Sequence, residues 1–266
     1  MKDSHSMVSS LGSEESMNSR MKRFNQEMKI LSKDSPCTPE NAIFTRVDES
    51  RSDLYQSLVS GPVDTPYAYG LYLFDIVCGE SFPQTPPSVH IMTTGDGAVR
   101  FNPNLYSDGY VCLSIIGTWS GGPEESWDAS RSTILQVLMS IQALVMDNEI
   151  LAKEPSFEYY TATDPENLTY SYVVKYGNVR HAMLDMIKSP PKGFEKIVRT
   201  HFNLNREKII ALVDSWLEEA ANVTEYTADA LVECHNAHSI AIFREQGYHT
   251  VLKEAVDELK VELDRL

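Results

Sequence analysis

The chain has 266 residues, 42% of them hydrophobic, and a formal net charge of −15 at pH 7. That length and apolar content suit one sizeable folded domain with an appendage, or two small ones, and the acidic balance weighs against general nucleic-acid binding, because a phosphate backbone rewards a positive surface. No apolar run approaches the roughly 18 residues that span a bilayer and Met1-Lys2-Asp3-Ser4 opens no signal peptide, so neither a membrane nor a nucleic acid is expected as a partner and the expected location is cytosol or nucleus.

Residues 1 to 17 are rich in Ser, Met and Glu without periodicity and read as a disordered tail. Met21, Phe24, Met28 and Leu31 then fall on one face at helical spacing and stop before Asp34-Ser35-Pro36, which predicts an amphipathic first helix. Between Arg20 and Lys33 there are five basic residues and one acidic, whereas from Asp214 to the end there are twelve acidic against four basic.

Phe44-Thr45-Arg46-Val47, Asp53 to Val59, Gly70 to Ile76 and Val89-His90-Ile91-Met92 read as strands, with turn residues at Gly61-Pro62-Val63-Asp64 and a rigid Pro-rich crossing at Phe82-Pro83-Gln84-Thr85-Pro86-Pro87. A four-strand antiparallel meander is the result. Ser132 to Met146 reads as a long, nearly all-apolar central helix. Tyr170 to Ile187 and Phe194 to Glu219 are further helices, parted by Ser189-Pro190-Pro191-Lys192-Gly193, and a last helix is expected from Thr227 to Leu266. Its Leu252, Val256, Leu259, Leu263 and Leu266 form a seam too short for a coiled coil, so packing on its own domain is expected. The helix, sheet, irregular segment and helix order is an α+β plan.

Four cysteines, Cys37, Cys78, Cys112 and Cys234, are scattered without a Cys-x-x-Cys pair, so free thiols are expected rather than zinc ligands or disulfides. Asn-x-Thr sequons at Asn167 and Asn222 carry no weight without a secretory route. Cys112 stands apart, in Asn102-Pro103-Asn104-Leu105-Tyr106-Ser107-Asp108-Gly109-Tyr110-Val111-Cys112. The nearest histidine, His90, lies 22 residues upstream on a strand, so no local base partners the thiol. Exchange of an acyl group between cysteines suits it better, since attacking and leaving sulfurs have similar basicity and only a modest thiolate fraction is needed.

An Asn-Pro-Asn turn followed at eight residues by a lone cysteine resembles the active-site segment of ubiquitin-conjugating enzymes, whose pattern is His-Pro-Asn and a cysteine at this spacing. The Gly117 to Glu125 insertion before Trp127 and the run Leu135-Gln136-Val137-Leu138 through Ser140-Ile141-Gln142 resemble the catalytic domain of the large hybrid conjugating enzymes of that family. The resemblance implies the ubiquitin-conjugating fold over residues 18–165, a C-terminal helical extension at 166–266, and a thioester formed on Cys112 with ubiquitin or a ubiquitin-like protein delivered by an activating enzyme.

Transfer to lysines of protein substrates is implied, with or without a ligase. No cofactor is implied, because ATP is spent by the activating enzyme. By the same resemblance Asn104 steadies the oxyanion, Glu154 or else Asp147 gates the acceptor lysine, and Lys22, Arg23 and Lys29 meet the activating enzyme. Asn102 stands where the family usually has a loop-shaping histidine. Gln84 replaces a ligase-facing aromatic, which suggests that the protein chooses substrates itself, as hybrid members do. Trp127 reads as core, and the Gly117–Glu125 insertion as a flap over bound ubiquitin or a mere surface loop. A catalytically silent variant that only binds ubiquitin or a partner, and a cysteine hydrolase, are the rival readings.

Overall fold

Strands β1 (Ile43–Val47), β2 (Leu54–Ser60), β3 (Leu71–Val77) and β4 (Ser88–Ile91), each within one residue of its expected bounds, form one antiparallel sheet in the order β1-β2-β3-β4. They belong to a computed structural model that describes residues 14–223 and 230–266. Register is set across the central pair, where Gln56 faces Asp75 and donates to its carboxylate at 2.7 Å in the interior. Every residue of β2 is buried, so this strand is covered on both faces.

Helix α1 (Glu14–Asp34) begins inside the stretch expected to be a tail, so residues 14–17 are helical; residues 1–13 lie outside the described residues. Phe24 and Leu31 enter the core and Met28 packs against it, while Met21 stays exposed. The fully buried Glu27 carboxylate accepts from Arg23 Nε at 2.8 Å and from the Ile134 N–H at 3.0 Å. A negative charge is thereby set at the N-terminus of α2 (Ile134–Ser140), where the helix dipole favours it. Thr133 and Gln136 close a capping box on the same turn.

The expected central helix is regular only to Ser140, after which Ile141–Val145 opens into a wider π turn. C-terminal to it, α3 (Pro165–Gly177) starts with proline at its first turn and runs through a second wide turn, Asn178–Asp185, into α4 (Met186–Lys188). Asn178 Nδ2 donates to the carbonyls of Pro66 and Ala68, both at 3.0 Å, which ties this extension to the turn between β2 and β3. Gly177 touches the sheet-side core so closely that an added Cβ would sit 3.0 Å from Val99.

Helix α5 (Glu195–Ala220) follows, then α6 (Ala230–Gln246) and α7 (Tyr248–Asp264). The single last helix expected from Thr227 is therefore interrupted twice, at Asn236 within α6 and again at Gly247, whose φ of 83° is open to glycine and costly for other residues. The start of the expected helix, at 227–229, lies outside the described residues. Leu252, Val256, Leu259 and Leu263 are buried against α5 and the second wide turn, so the leucine seam packs within its own chain. Asn167, one of the sequon residues, is buried and bonds Leu151 and Asn148, which leaves no room for a glycan. Among the described residues, no helix is long and apolar enough to cross a membrane.

Candidate active site

The seven residues between Asn104 and Cys112 form two short arms that fold back on each other. Tyr106 N–H donates to Tyr110 O at 3.0 Å and Gly109 N–H to Tyr106 O at 3.1 Å, closing a turn in which Gly109 has φ 94°. A side chain there would also strike the His90 ring, at 2.5 Å from an added Cβ. The turn sets Asn104 opposite Cys112, and the pair bond reciprocally: Cys112 N–H donates to Asn104 O at 2.9 Å, and Asn104 Nδ2 donates to Cys112 O at 2.7 Å.

Asn102, in place of the expected histidine, is fully buried and shapes the loop from beneath. Its Nδ2 donates to Val145 O at 3.0 Å and to Tyr67 Oη at 3.2 Å, while its Oδ1 accepts from Asn104 N–H at 3.0 Å. Val145 is the last residue of the π turn, where the helix ends, so its carbonyl has no partner within the helix and accepts from outside it.

The thiol is less open than acyl exchange requires. Cys112 is only 4% exposed, and its Sγ donates to the carbonyl of Thr118 at 2.9 Å. The cover is local rather than deep: Val111 and Leu113 belong to the main apolar core and Cys112 does not. The start of the Gly117–Glu125 insertion lies over it as a short flap, while most of the insertion is exposed surface loop. Thr118 Oγ1 donates to Val111 O at 2.9 Å and accepts from Leu113 N–H at 2.9 Å, so one hydroxyl straddles the residues on both sides of the cysteine. Burial pushes the thiol above its ordinary pKa and the Glu154 carboxylate adds to this, with the Thr118 side chain and the Arg100 guanidinium pulling the other way. At neutral pH the covered thiol therefore holds little thiolate.

Removing the hydroxyl tests that cover. Thr118→Val leaves a carbonyl and an N–H unpaired at the flap's hinge, a loss of about 1–3 kcal/mol, and is expected to raise the rate at which iodoacetamide alkylates Cys112 several-fold, read by mass spectrometry of the Cys112 peptide. An unchanged rate would show that the flap is held by other contacts.

Beside the cysteine runs an open groove of about 520 Å3, with Leu113, Trp119, Leu144 and Val145 along it and Asn104 and Glu154 also on its wall. Of the two candidate gating carboxylates, Glu154 stands here, 3.8 Å from the Arg100 guanidinium. Asp147 is instead held by Lys153 at 2.5 Å and does not line the groove. Among the expected contact cations, Lys22 and Lys29 are exposed on α1. Arg23 departs from expectation: it turns inward to Glu27, donates to the carbonyls of Ala129 and Ser132, and lies over the Phe82 ring. A guanidinium with four such partners is bound into the fold.

Trp127 donates to Pro83 O at 2.6 Å and tilts against Phe82, so it braces the loop from Ser81 to Pro87, in which Gln84 is exposed. Two residues at the site were not singled out from the sequence, Thr118 and Arg100. Arg100 is the one with a signal, a lone cation just ahead of the Asn-Pro-Asn turn; Thr118 carried none.

A family model described as ubiquitin-conjugating enzyme matches residues 23–165. The chain is 38% identical over 228 residues, 85% of its length, to the dual E2 ubiquitin-conjugating enzyme/E3 ubiquitin-protein ligase BIRC6 of Homo sapiens, of which it covers 5%. It is 39% identical over 206 residues, 76% of its length, to the Caenorhabditis elegans protein named "Probable ubiquitin-conjugating enzyme protein 17", of which it covers 28%. It thus spans well under a third of either relative. Among solved structures it is similar to the E2 domain of a Toxoplasma gondii ubiquitin conjugating enzyme, at 22% identity and a TM-score of 0.47, covering 61% of this chain and 99% of that one.

Proposed function

The chain belongs to the ubiquitin-conjugating enzyme family, and from that membership we propose that it accepts ubiquitin, or a ubiquitin-like protein, as a thioester on Cys112 and passes it to a lysine amine of a protein substrate. The observation that carries this reading is the reciprocal pair of hydrogen bonds that locks Asn104 to Cys112 at the edge of the groove holding Glu154. In the first step the Cys112 thiolate attacks the activating enzyme's thioester; a new C–S bond forms and the activating enzyme's thiolate leaves. In the second a neutral lysine amine attacks the Cys112 thioester, an amide forms, the C–S bond breaks, and the proton shed by the nitrogen balances the one regained by sulfur. No metal or organic cofactor enters either step, and ATP is consumed upstream by the activating enzyme.

The flap over the thiol must lift before the first step, and lifting also restores water around Cys112 and with it thiolate. Lys22 and Lys29, both exposed on α1, support docking of an activating enzyme with an acidic face. The exposed Gln84 supports a hybrid character in which the chain relies less on a separate ligase. Incubation with activating enzyme, ATP and ubiquitin is the test: a reductant-sensitive adduct is expected on gels and is expected to vanish in Cys112→Ala. Absence of any adduct on the parent would favour a silent variant that only binds ubiquitin or a partner.

Glu154 is proposed to orient the incoming amine or take its proton, and its place on the groove wall favours it over Asp147. Glu154→Ala is expected to slow discharge to free lysine several-fold at neutral pH, with part of the loss recovered at alkaline pH, where more of the acceptor amine is already neutral. A rate equal to the parent's at both pH values would remove this role.

A further inference from the structure

We propose that Asn236, in the C-terminal helices, is a positioning residue for the Cys112 site and acts through Arg100. The proposal rests on the conjugating reading above and extends it to the helical extension, for which that reading has no use.

The starting observation is a break in α6. Asn236 has φ −138° and ψ 39°, outside helical values, so the helical ladder is interrupted there and a buried asparagine is turned onto another part of the chain. Its Oδ1 accepts from Arg100 N–H at 2.9 Å and its Nδ2 donates to Arg100 O at 3.2 Å. The Tyr170 hydroxyl, from α3, donates to that same carbonyl at 3.0 Å. Both backbone groups of Arg100 thus find partners in the extension, across 136 residues of sequence for Asn236. A carboxamide that grips a peptide group at both ends restricts both the φ and ψ of that residue and so aims its side chain.

Where the Arg100 side chain goes is the second observation. Its guanidinium lies over the Tyr106 ring, 3.7 Å from the centroid, donates to Pro103 O at 2.6 Å, and stands 3.8 Å from the Glu154 carboxylate. One cation therefore spans the Asn-Pro-Asn turn, the arm that leads to Cys112, and the carboxylate on the groove wall. A planar guanidinium suits this, since it stacks and donates in its plane at once, where an ammonium does only one at a time. The same positive charge favours the thiolate of Cys112. If Arg100 loses its aim, the turn loosens, Glu154 is left without its counter-charge, and the thiol loses a stabilising cation.

The test compares Asn236→Ala, Arg100→Gln and the double variant with Leu263→Ala, a core substitution in α7 away from Arg100, all in the full chain and well below their melting midpoints. Two quantities are read: discharge of the Cys112–ubiquitin adduct to free lysine, and the pH profile of iodoacetamide alkylation of Cys112. Asn236→Ala is expected to slow discharge about tenfold or more and to move the alkylation profile to higher pH, as Arg100→Gln does. The double variant is expected to be no slower than Arg100→Gln alone, since residues acting in series do not add. Leu263→Ala is expected to melt earlier with both readouts at parent values.

The inference is overturned if Asn236→Ala leaves both readouts at parent values, if Leu263→Ala reproduces its effects, or if the effects of Asn236→Ala and Arg100→Gln multiply. Should Asn236→Ala not fold, Tyr170→Phe removes only one bond to the Arg100 carbonyl and is expected to move the alkylation profile the same way by less; no movement overturns the inference. Failure of the parent to form any adduct would sink the conjugating reading instead, while the alkylation profiles would still report on the Asn236–Arg100 link.

Discussion

Asn104→Ala is expected to load Cys112 at close to the parent rate and to discharge to lysine about a hundredfold more slowly, the loss typical of one oxyanion donor. A carboxamide nitrogen carries two hydrogens, and only one is spent on Cys112 O at 2.7 Å. The other is available to the oxygen that becomes negative when an amine attacks the thioester carbonyl. Loading passes through the same kind of intermediate, but its nucleophile and leaving group are both sulfur and the barrier is lower, so the donor matters less there. The loop itself should survive the substitution, because the Cys112 N–H to Asn104 O bond is backbone and Asn102 still holds the segment from below. Single-turnover loading and discharge, measured on the same preparation, separate the possibilities. Equal losses in both steps would mean that Asn104 serves only to hold the loop, and unchanged discharge would remove it from the chemistry.

Glu27→Ala should lower stability by about 3–5 kcal/mol, the cost usual when one partner of a buried ion pair is deleted. The carboxylate has no exposure at all, and it serves two partners that come from different parts of the chain, the Arg23 guanidinium and the first N–H of α2. Without it a mostly covered cation and a helix-end donor are left unpaired, and α1 loses its polar link to α2. At roughly 2–4 °C per kcal/mol for a chain of this size the melting midpoint should fall by about 10 °C. Glu27→Gln keeps one acceptor oxygen, for Ile134 N–H, but loses the charge and the oxygen that Arg23 donates to, so a drop of about 1–3 kcal/mol is expected. Urea or thermal unfolding measures both. A Glu27→Ala protein that melts with the parent would mean that water or a shifted side chain takes over both partners.

The four strands were legible to within one residue because alternation and turn chemistry are local: Gly61-Pro62 and the proline-rich crossing mark their ends whatever the rest of the chain does. The last helix was misread for a related reason. Its leucine seam, Leu252 to Leu266, lies wholly beyond Gly247 and so marks no helix start there, and the one residue able to take φ 83° was passed over. Arg23 was expected among the residues that meet the activating enzyme because charge along α1 is visible in sequence, whereas Glu27, Ala129 and Ser132 gather around it only after α1 meets the start of α2.

By itself the sequence singled out the candidate nucleophile and its carboxamide neighbour and pointed to the family, because those depend on a spacing of eight residues and on a turn that only a few residue types can make. Only the tertiary structure decided whether that nucleophile is open and what aims the groups around it. Thr118 closes over Cys112 through bonds to Val111 and Leu113, and Asn236 reaches Arg100 from a helix more than a hundred positions away. Contacts of that kind leave no periodicity in the chain; they exist because packing the apolar faces of α3, α6 and α7 brings buried polar groups together, and each such group must find a partner once water is gone.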